Sequence, residues 1–310
     1  MEQRAGRAVP SRDPEEWVSD GTLIFGLGLG LHETLRYLFM EAPRFEQFEA
    51  WILEKNGGRI DPRRIARINA ALAGSLDEAA CPPVEPVLTA KDLASWEENG
   101  YVVLHDAVPP EDCAAAAQAI YHFLRMDPED PGTWYCGPQG HSIWIPLLHH
   151  PAFWANRNSP RIHSAFAQLW GRADLWVSVD QGGMNPPETD SWRFPGPHLH
   201  WDTSLELPIP FGLQGILYLT DTGPTQGAFT CVPGFHRKID DWLKSLQGAD
   251  PRQQDLRALG AVPIAGKAGD LIIWHQALPH GSSPNRASRP RVVQYISMRP
   301  TRWTMNREWK

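Results

Sequence analysis

From residue 174 onward, glycine and proline divide the sequence into short apolar runs, and this punctuation constrains the fold more than any other feature. Many short strands separated by turn residues are typical of an all-β sandwich or barrel. No strand–helix alternation interrupts them, so a parallel βαβ sheet is not expected. We expect strands over five segments: 175–180, 212–219, 229–232, 271–274 and 292–298.

The residues before this region have helical patterns. Apolar residues recur at helix-like intervals over 33–55, and Asp61 followed by Pro62 predicts the start of a further helix. A proline-rich joint begins at Cys81 and suits an extended linker. We therefore expect a helical N-terminal extension over residues 1–85 and a β-rich domain over residues 86–310.

Three helices are also predicted within the second part, at 89–99, 109–126 and 159–171. Each begins with a capping residue or with proline, as helices commonly do. The β-branched run Tyr101–Leu104 follows the first of them and predicts a strand.

The charge of the chain excludes one class of partner. Its formal net charge is −7, from 29 Lys and Arg residues against 36 Asp and Glu residues, and its pI is about 5.9. Nucleic-acid-binding proteins normally carry a basic excess, because phosphate neutralisation supplies most of their affinity. We expect no nucleic-acid partner. Four arginines are interpreted as a solvated helix face rather than a phosphate site: Arg59, Arg63, Arg64 and Arg67.

The cysteines and the apolar segments indicate the compartment. Four cysteines lie far apart without a CxxC pair: Cys81, Cys113, Cys136 and Cys231. This spacing argues against a zinc module or a disulfide framework, so we expect reduced thiols in a cytoplasmic protein. The apolar stretch 23–31 is too short to span a bilayer and lacks the features of a signal peptide, so no membrane association is expected.

His200-Trp201-Asp202 is the first pattern with chemical content. In an extended segment, residues two apart point to the same side, so His200 and Asp202 can approach one metal ion while Trp201 points away. A third ligand from a distant strand would complete a facial set with open positions. Two histidines and one carboxylate in that arrangement are typical of non-haem iron(II) oxygenases. Because the chain has twelve histidines, an H-x-D motif alone is weak evidence.

A second pattern begins at His280 and leads into a strand that starts at Arg291. By alternation, Arg291, Val293, Tyr295 and Ser297 share one face of that strand. If this face lines a cavity, the guanidinium group of Arg291 can bind a carboxylate through two parallel charge-assisted hydrogen bonds. A buried arginine needs an anion, and 2-oxoglutarate would supply one.

Several motifs together resemble the phytanoyl-CoA dioxygenase family over about residues 88–299. The resemblance is carried by the run Leu88 to Leu104, by Leu219-Thr-Asp, Gln226-Gly and Val232-Pro-Gly-Phe-His-Arg, and by Gly269-Asp270 through His280 and Asn285 to Arg291. It implies a double-stranded β-helix, the jelly roll of cupin-like proteins. The expected fold class is therefore mainly β with flanking helices, as a jelly-roll core plus the helical extension.

The resemblance also implies roles for individual residues. It implies three iron(II) ligands: His200, Asp202 and His280. Arg291 is implied as the partner of the distal carboxylate of 2-oxoglutarate, and Ser282 as a secondary contact to the same co-substrate. We expect Gln181, on the strand before the H-x-D motif, to face the site as well.

Two positions depart from the family pattern. Ile216 stands where several relatives carry an aromatic residue, and Phe235 stands where the family often has serine. Related halogenases have Gly or Ala in place of the carboxylate ligand, so Asp202 favours hydroxylation over halide transfer. The implied enzyme is a dioxygenase that uses Fe(II), 2-oxoglutarate and O2, with ascorbate as a helper. It would oxidise a small-molecule substrate and release succinate and CO2.

Other histidines and aromatic residues near these motifs need separate interpretations. His275 lacks the family's offsets to Asn and Arg, so we expect a hydrogen-bonded histidine at a strand end. His198 fits a group beside the ligands or facing substrate better than a ligand. We expect substrate contacts from His198, Trp201 and Tyr295, while most of the fourteen tryptophans should pack in the core.

A second function class stays open at this point. A non-oxidative cupin-like protein, such as a metal-dependent isomerase, a lyase or a binding protein, would hold zinc or nickel and ignore 2-oxoglutarate. Arg291 argues against it. The sequence leaves the substrate open among a CoA thioester, an amino-acid derivative and an intermediate of secondary metabolism. It also leaves open whether the N-terminal part covers the core, contributes to the pocket or mediates a homodimer.

Overall fold

The computed structural model describes residues 13–76, 84–136, 143–304 and 309–310. Cys81 and the two prolines that follow it in the proline-rich joint lie outside these residues. Within them, no helix is both long enough and apolar enough to cross a membrane.

Helices dominate the first half of the chain. Their bounds are α1 Pro14–Gly26, α2 Leu31–Glu41, α3 Phe45–Lys55, α4 Pro62–Leu72, α5 Ala90–Asn99, α6 Pro110–Leu124, α7 Pro151–Arg157, α8 Pro160–Trp170 and α9 Ile239–Ser245. Several begin as the sequence predicts. The Asp61 side chain accepts from the Arg63 amide at 2.8 Å at the start of α4, and Thr89 forms a capping box with Asp92 at the start of α5.

All of the strand pairs are antiparallel. The strands are β1 Tyr101–Leu104, β2 Trp144–Ile145, β3 Leu175–Val177, β4 Gly182–Asn185, β5 Leu213–Tyr218, β6 Phe229–Cys231, β7 Val262–Pro263, β8 Leu271–His275, β9 His280–Ser282, β10 Arg291–Tyr295 and β11 Met298–Pro300. One sheet has the order β1-β8-β5-β10-β4-β2, a second has the order β7-β6-β9, and β11 pairs with β3. The predicted β core with flanking helices is confirmed, although helices contain more of the residues than strands do.

Two of the predicted strands differ from the observed ones. The expected strand 292–298 is divided into β10, which pairs with β4 and β5, and β11, which pairs with β3. The chain changes sheets between them, because the Ile296 amide bonds to Gly215 and the Ser297 carbonyl accepts from Ser178. The expected strand 175–180 is likewise shortened to β3.

The six-stranded sheet has a different partner on each face. Alternate residues of β5 and β8, such as Leu217 and Ile273, pack with Val102 and helical residues such as Ile120 in one core cluster. The residues between them, such as Ile272, pack against the three-stranded sheet in a second cluster. We call these the helix-facing and the interior side of the sheet. Strand alternation alone produces this division.

Two of the N-terminal helices, α1 and α4, rest against the pair β3 and β11. Phe25 of α1 and Ile68 of α4 form a small buried cluster with Trp176 of β3. The guanidinium group of Arg67 lies over the Trp176 ring at 3.8 Å from its centroid and donates to the Leu175 carbonyl. Cation–π and apolar contacts therefore join the N-terminal helices to the β core.

Candidate metal and co-substrate site

His200 and His280 meet through backbone pairing. The two residues form an isolated antiparallel bridge in which each amide donates to the other carbonyl, at 2.9 and 3.0 Å. The adjacent Gly281 allows this approach, because a β carbon there would lie 2.5 Å from the His198 carbonyl oxygen. The H-x-D motif is thus held by one bridge at the edge of β9 rather than by a regular strand.

The three predicted ligands converge. One ligand atom from each of His200, Asp202 and His280 lies within 4.8 Å of the other two, a separation that could accommodate a metal ion. Nε2 of His200 is 3.2 Å from Oδ1 of Asp202, and Nε2 of His280 is 3.2 Å from Oδ2. The side chains differ in exposure, at 35% for His200, 52% for Asp202 and 5% for His280. The open side of the group therefore faces solvent at Asp202.

The orientation of both imidazoles suits metal binding. Nδ1 of His200 lies 2.7 Å from the His198 carbonyl oxygen, and Nδ1 of His280 lies 3.0 Å from that of Leu278. A carbonyl only accepts hydrogen bonds, so each Nδ1 carries a proton and each ring directs its Nε2 at Asp202. A metal cation can occupy the space between these two nitrogens and the carboxylate in place of the protons that link them. Backbone carbonyls that fix histidine tautomers in this way are common at metal sites.

The charges of these three residues are coupled. Although burial opposes the shift, hydrogen bonds from His200 and His280 hold the pKa of the Asp202 carboxyl far below its usual value. Burial likewise disfavours the charged form of His200, but the hydrogen bond to Asp202 raises the pKa of that imidazole above its ordinary value. The carboxylate is therefore ionised across the physiological pH range.

Gln214 is a residue of this site that the sequence interpretation missed. Its side-chain amide donates to Oδ2 of Asp202 at 2.7 Å, and its oxygen accepts from the Trp274 indole at 3.2 Å. The Trp274 contact fixes which end of the amide faces Asp202, since an indole N–H only donates. One signal was present in the sequence: Gln214 has the same parity as the interior residues Ile216 and Tyr218 of β5.

Arg291 lies where alternation places it, on the interior side of β10 with Val293 and Tyr295. Its side chain is fully buried, yet among the described residues none of its three guanidinium nitrogens has an acceptor in hydrogen-bonding geometry. The preceding turn is held by Asn285, whose side chain donates to the carbonyls of Asn185 and Arg289. A buried, unpaired guanidinium is costly, so an anionic partner is expected.

Tyr295 borders this guanidinium, and Ser282 borders Tyr295. Burial raises the pKa of the Tyr295 hydroxyl, the charge of Arg291 opposes that rise, and Ser282 lies beside the same hydroxyl. The Tyr295 ring packs against Trp144 with centroids 4.5 Å apart. Gln181 pairs with this strand only through its carbonyl, which accepts from the Tyr295 amide at 3.1 Å. That contact places Gln181 next to Tyr295 without assigning a role to its side chain.

The structure also bears on the roles predicted for His198, Trp201 and His275. His198 is exposed and supplies its carbonyl to His200, which agrees with a position beside the ligands. Trp201 is 2% exposed, donates to the Ala277 carbonyl and packs with Phe235 and Trp242. Its place in the core corrects the prediction of a substrate contact. His275 ends β8, and burial lowers its pKa to about 4, which suits the structural histidine expected there.

Oxygenases that use iron(II) and 2-oxoglutarate are the class that combines such a β core with two histidines and one carboxylate around an open metal position. The chain belongs to the phytanoyl-CoA dioxygenase family, whose model matches residues 96–293. The resemblance in the sequence is thereby confirmed.

Two curated relatives show the range of this similarity. A putative phytanoyl-CoA dioxygenase from Dictyostelium discoideum is 24% identical over 259 residues, which cover 66% of this chain and 74% of the relative. The ectoine dioxygenase of Bordetella bronchiseptica is 24% identical over 247 residues, which cover 71% of this chain and 78% of the relative.

A solved structure supports the same fold. The iron-bound crystal structure of EctD from S. alaskensis aligns with a TM-score of 0.51 at 20% identity, covering 75% of this chain and 85% of that one. At this identity the likeness bears on the fold alone.

Proposed function

We propose that this oxygenase hydroxylates a small molecule, with His200, Asp202 and His280 as its iron(II) ligands and Arg291 as the partner of the distal carboxylate of 2-oxoglutarate. The observation that carries the proposal is the pairing of two features on the interior side of the sheet. One is the group of three convergent ligand atoms, and the other is the buried guanidinium without an acceptor.

The side chains of the site fit both iron(II) and 2-oxoglutarate. Two imidazole nitrogens and a carboxylate suit iron(II), and the fixed Nδ1 protons leave the Nε2 lone pairs for a metal. The planar fork of Arg291 suits one end of a dicarboxylate, and its burial strengthens that interaction. When bound, iron and 2-oxoglutarate supply the oxidising power, with release of succinate and CO2.

The chain itself orients these groups. Gln214 holds one oxygen of Asp202 and so limits the directions in which the carboxylate can turn. Ser282 and Tyr295 would complete the co-substrate pocket around Arg291, and Gln181 would extend its rim beside Tyr295. His198 is exposed next to the ligands, where a substrate would approach. The intact carboxylate of Asp202 supports hydroxylation rather than halide transfer.

The proposal also includes the fold of the core and the bounds of the two parts of the chain. The six-stranded and three-stranded sheets face each other across a shared apolar cluster that lies beside the ligands, which supports the double-stranded β-helix, or jelly roll. We assign this core to residues 86–310 and the helical extension to residues 1–85, since α1 to α4 all precede residue 73. Family membership weighs against the non-oxidative cupin-like alternative.

Slow succinate formation without substrate tests the proposal. With Fe(II), ascorbate and 2-oxoglutarate, the protein should form succinate, and His200→Ala should abolish this because one of three ligands is lost. His198→Ala is the matched control, because only the backbone carbonyl of His198 contacts His200. Equal rates for the wild-type protein and His200→Ala would contradict the ligand assignment.

A further inference from the structure

A large cleft lies between the N-terminal helices and the β core, away from the proposed iron ligands. Its volume is about 1020 Å³, and its walls come from α3 and α4 on one side and from α7, α8 and β3 on the other. The cations that line it are Lys55, Arg63, Arg64, Arg67 and Arg157, and Glu85 is the acidic residue among its described lining. We call it the arginine cleft.

Three of these arginines form no salt bridge with an acidic side chain among the described residues. Arg64 donates only to neutral acceptors, the Gly26 carbonyl and the Asn56 side chain. Arg157 is 1% exposed and donates only to the carbonyls of Leu148 and Asp180. Arg63 is exposed, and its guanidinium has no partner in the described part of the chain. Lys55, in contrast, pairs with Glu33 at 2.9 Å.

The crowding of these cations is energetically unfavourable. Burial lowers the pKa of Arg64, and the neighbouring charge of Arg67 lowers it further. Burial also lowers the pKa of Arg157 to about 10, against the opposing charge of Asp180. Such a concentration of positive charge contrasts with the net charge of −7 for the whole chain. An anion in the cleft would relieve the repulsion.

The cleft also has an excess of donors and two aromatic walls. Arg157 Nε and Trp176 Nε1 are buried donors that find no acceptor among the residues described, and both residues line the cleft. Trp154 and Trp176 supply the aromatic surfaces. The solvated helix face expected for this arginine cluster is therefore corrected for Arg64 and Arg67, whose side chains bond back to backbone carbonyls.

We propose that the arginine cleft binds a phosphate-bearing small molecule through its phosphate groups. Guanidinium groups bind phosphate oxygens in a bidentate manner, and several of them match the multiple charges of a pyrophosphate better than a single carboxylate. None of the proposed iron ligands lines the cleft, so this site is separate from the metal and co-substrate site.

Calorimetric titration of the full chain with inorganic pyrophosphate at low ionic strength tests the proposal. We expect one site per chain. Binding should weaken about tenfold in Arg63→Gln, because one charge-assisted contact is lost. Arg63 is exposed, so this variant should fold normally, and Arg64→Gln is the second variant of the series. Thermal melting should show that pyrophosphate stabilises the wild-type protein.

Two control variants identify where the pyrophosphate binds. Arg59→Gln removes the same charge outside the cleft lining and should leave the affinity unchanged. Arg291→Gln removes the proposed co-substrate partner and should also leave it unchanged. No measurable heat for the wild-type protein, an equal loss in Arg59→Gln, or a loss confined to Arg291→Gln would overturn the proposal. The last two outcomes would indicate general attraction or binding at the co-substrate site.

Discussion

Strand β10 carries two fully buried polar side chains on opposite sides of the six-stranded sheet, and these side chains differ in their hydrogen bonding. Gln294, on the helix-facing side, accepts from Asn156 at 2.8 Å and donates to the Phe153 carbonyl at 2.9 Å. Arg291, on the interior side, has no acceptor in hydrogen-bonding geometry for any of its guanidinium nitrogens within the described part of the chain. Both are 0% exposed.

This difference separates structural burial from functional burial. A buried amide with both ends bonded stabilises the packing of α7 on the sheet, because its polar atoms are all used. A buried guanidinium without an acceptor destabilises the protein until an anion arrives. The fully satisfied side chain thus belongs to the fold, and the unsatisfied one belongs to the proposed co-substrate site.

The largest expected effect comes from Arg291→Gln. Loss of two charge-assisted hydrogen bonds should cost about 3 kcal/mol of 2-oxoglutarate binding, or about a hundredfold in the concentration needed for half-maximal succinate formation. The melting temperature of the co-substrate-free protein should not fall, because the substitution also removes a buried charge that has no acidic partner among the described residues. An unchanged 2-oxoglutarate requirement would contradict the assignment of Arg291 as the partner of the co-substrate.

Gln294→Ala should show the reverse pattern. Removing its amide leaves the Asn156 side chain and the Phe153 carbonyl without their partner, at a cost of about 1–3 kcal/mol per unsatisfied group. Chemical denaturation should therefore report a less stable protein, while the 2-oxoglutarate requirement stays at the wild-type value. A loss of co-substrate affinity equal to that of Arg291→Gln would show that both sides of β10 serve the site.

A smaller effect is expected from Gln214→Ala. This substitution removes an interior side-chain amide that donates a hydrogen bond to Asp202, one of the proposed metal ligands. Without this hydrogen bond the Asp202 carboxylate can rotate, so iron(II) affinity should fall about tenfold. This is the smaller end of the loss expected when a residue that orients a metal ligand is removed. Trp274→Phe keeps a ring but loses the indole bond to Gln214, so its effect should be smaller still. Equal iron affinities in a competition titration with a chelator would remove Gln214 from the site.

Strand alternation and capping rules predicted much of this molecule from sequence. The period of two placed Arg291, Val293 and Tyr295 on one side of β10, and the capping residues predicted the starts of α4 and α5. These features depend on local geometry, which the sequence records directly.

Other features depend on contacts that local patterns do not contain. The break between β10 and β11 follows from a change of partner after Ile296, because Ile296 still bonds to Gly215 of β5 whereas Ser297 bonds to Ser178. Gln214 acquires its role only because β5 and β8 bring it between Asp202 and Trp274. Both sequence neighbours of Trp201 are proposed metal ligands. Its own indole nevertheless lies in the core, where it donates to the Ala277 carbonyl and packs against Phe235 and Trp242.

The most direct test of the account is an anaerobic absorption titration with Fe(II) and then 2-oxoglutarate. The wild-type protein should develop the visible charge-transfer band of 2-oxoglutarate chelating a ferrous ion. His280→Ala should show no band, and Arg291→Gln should show it only at much higher 2-oxoglutarate concentrations. A wild-type protein without the band, or a band of full intensity in His280→Ala, would contradict the proposed site.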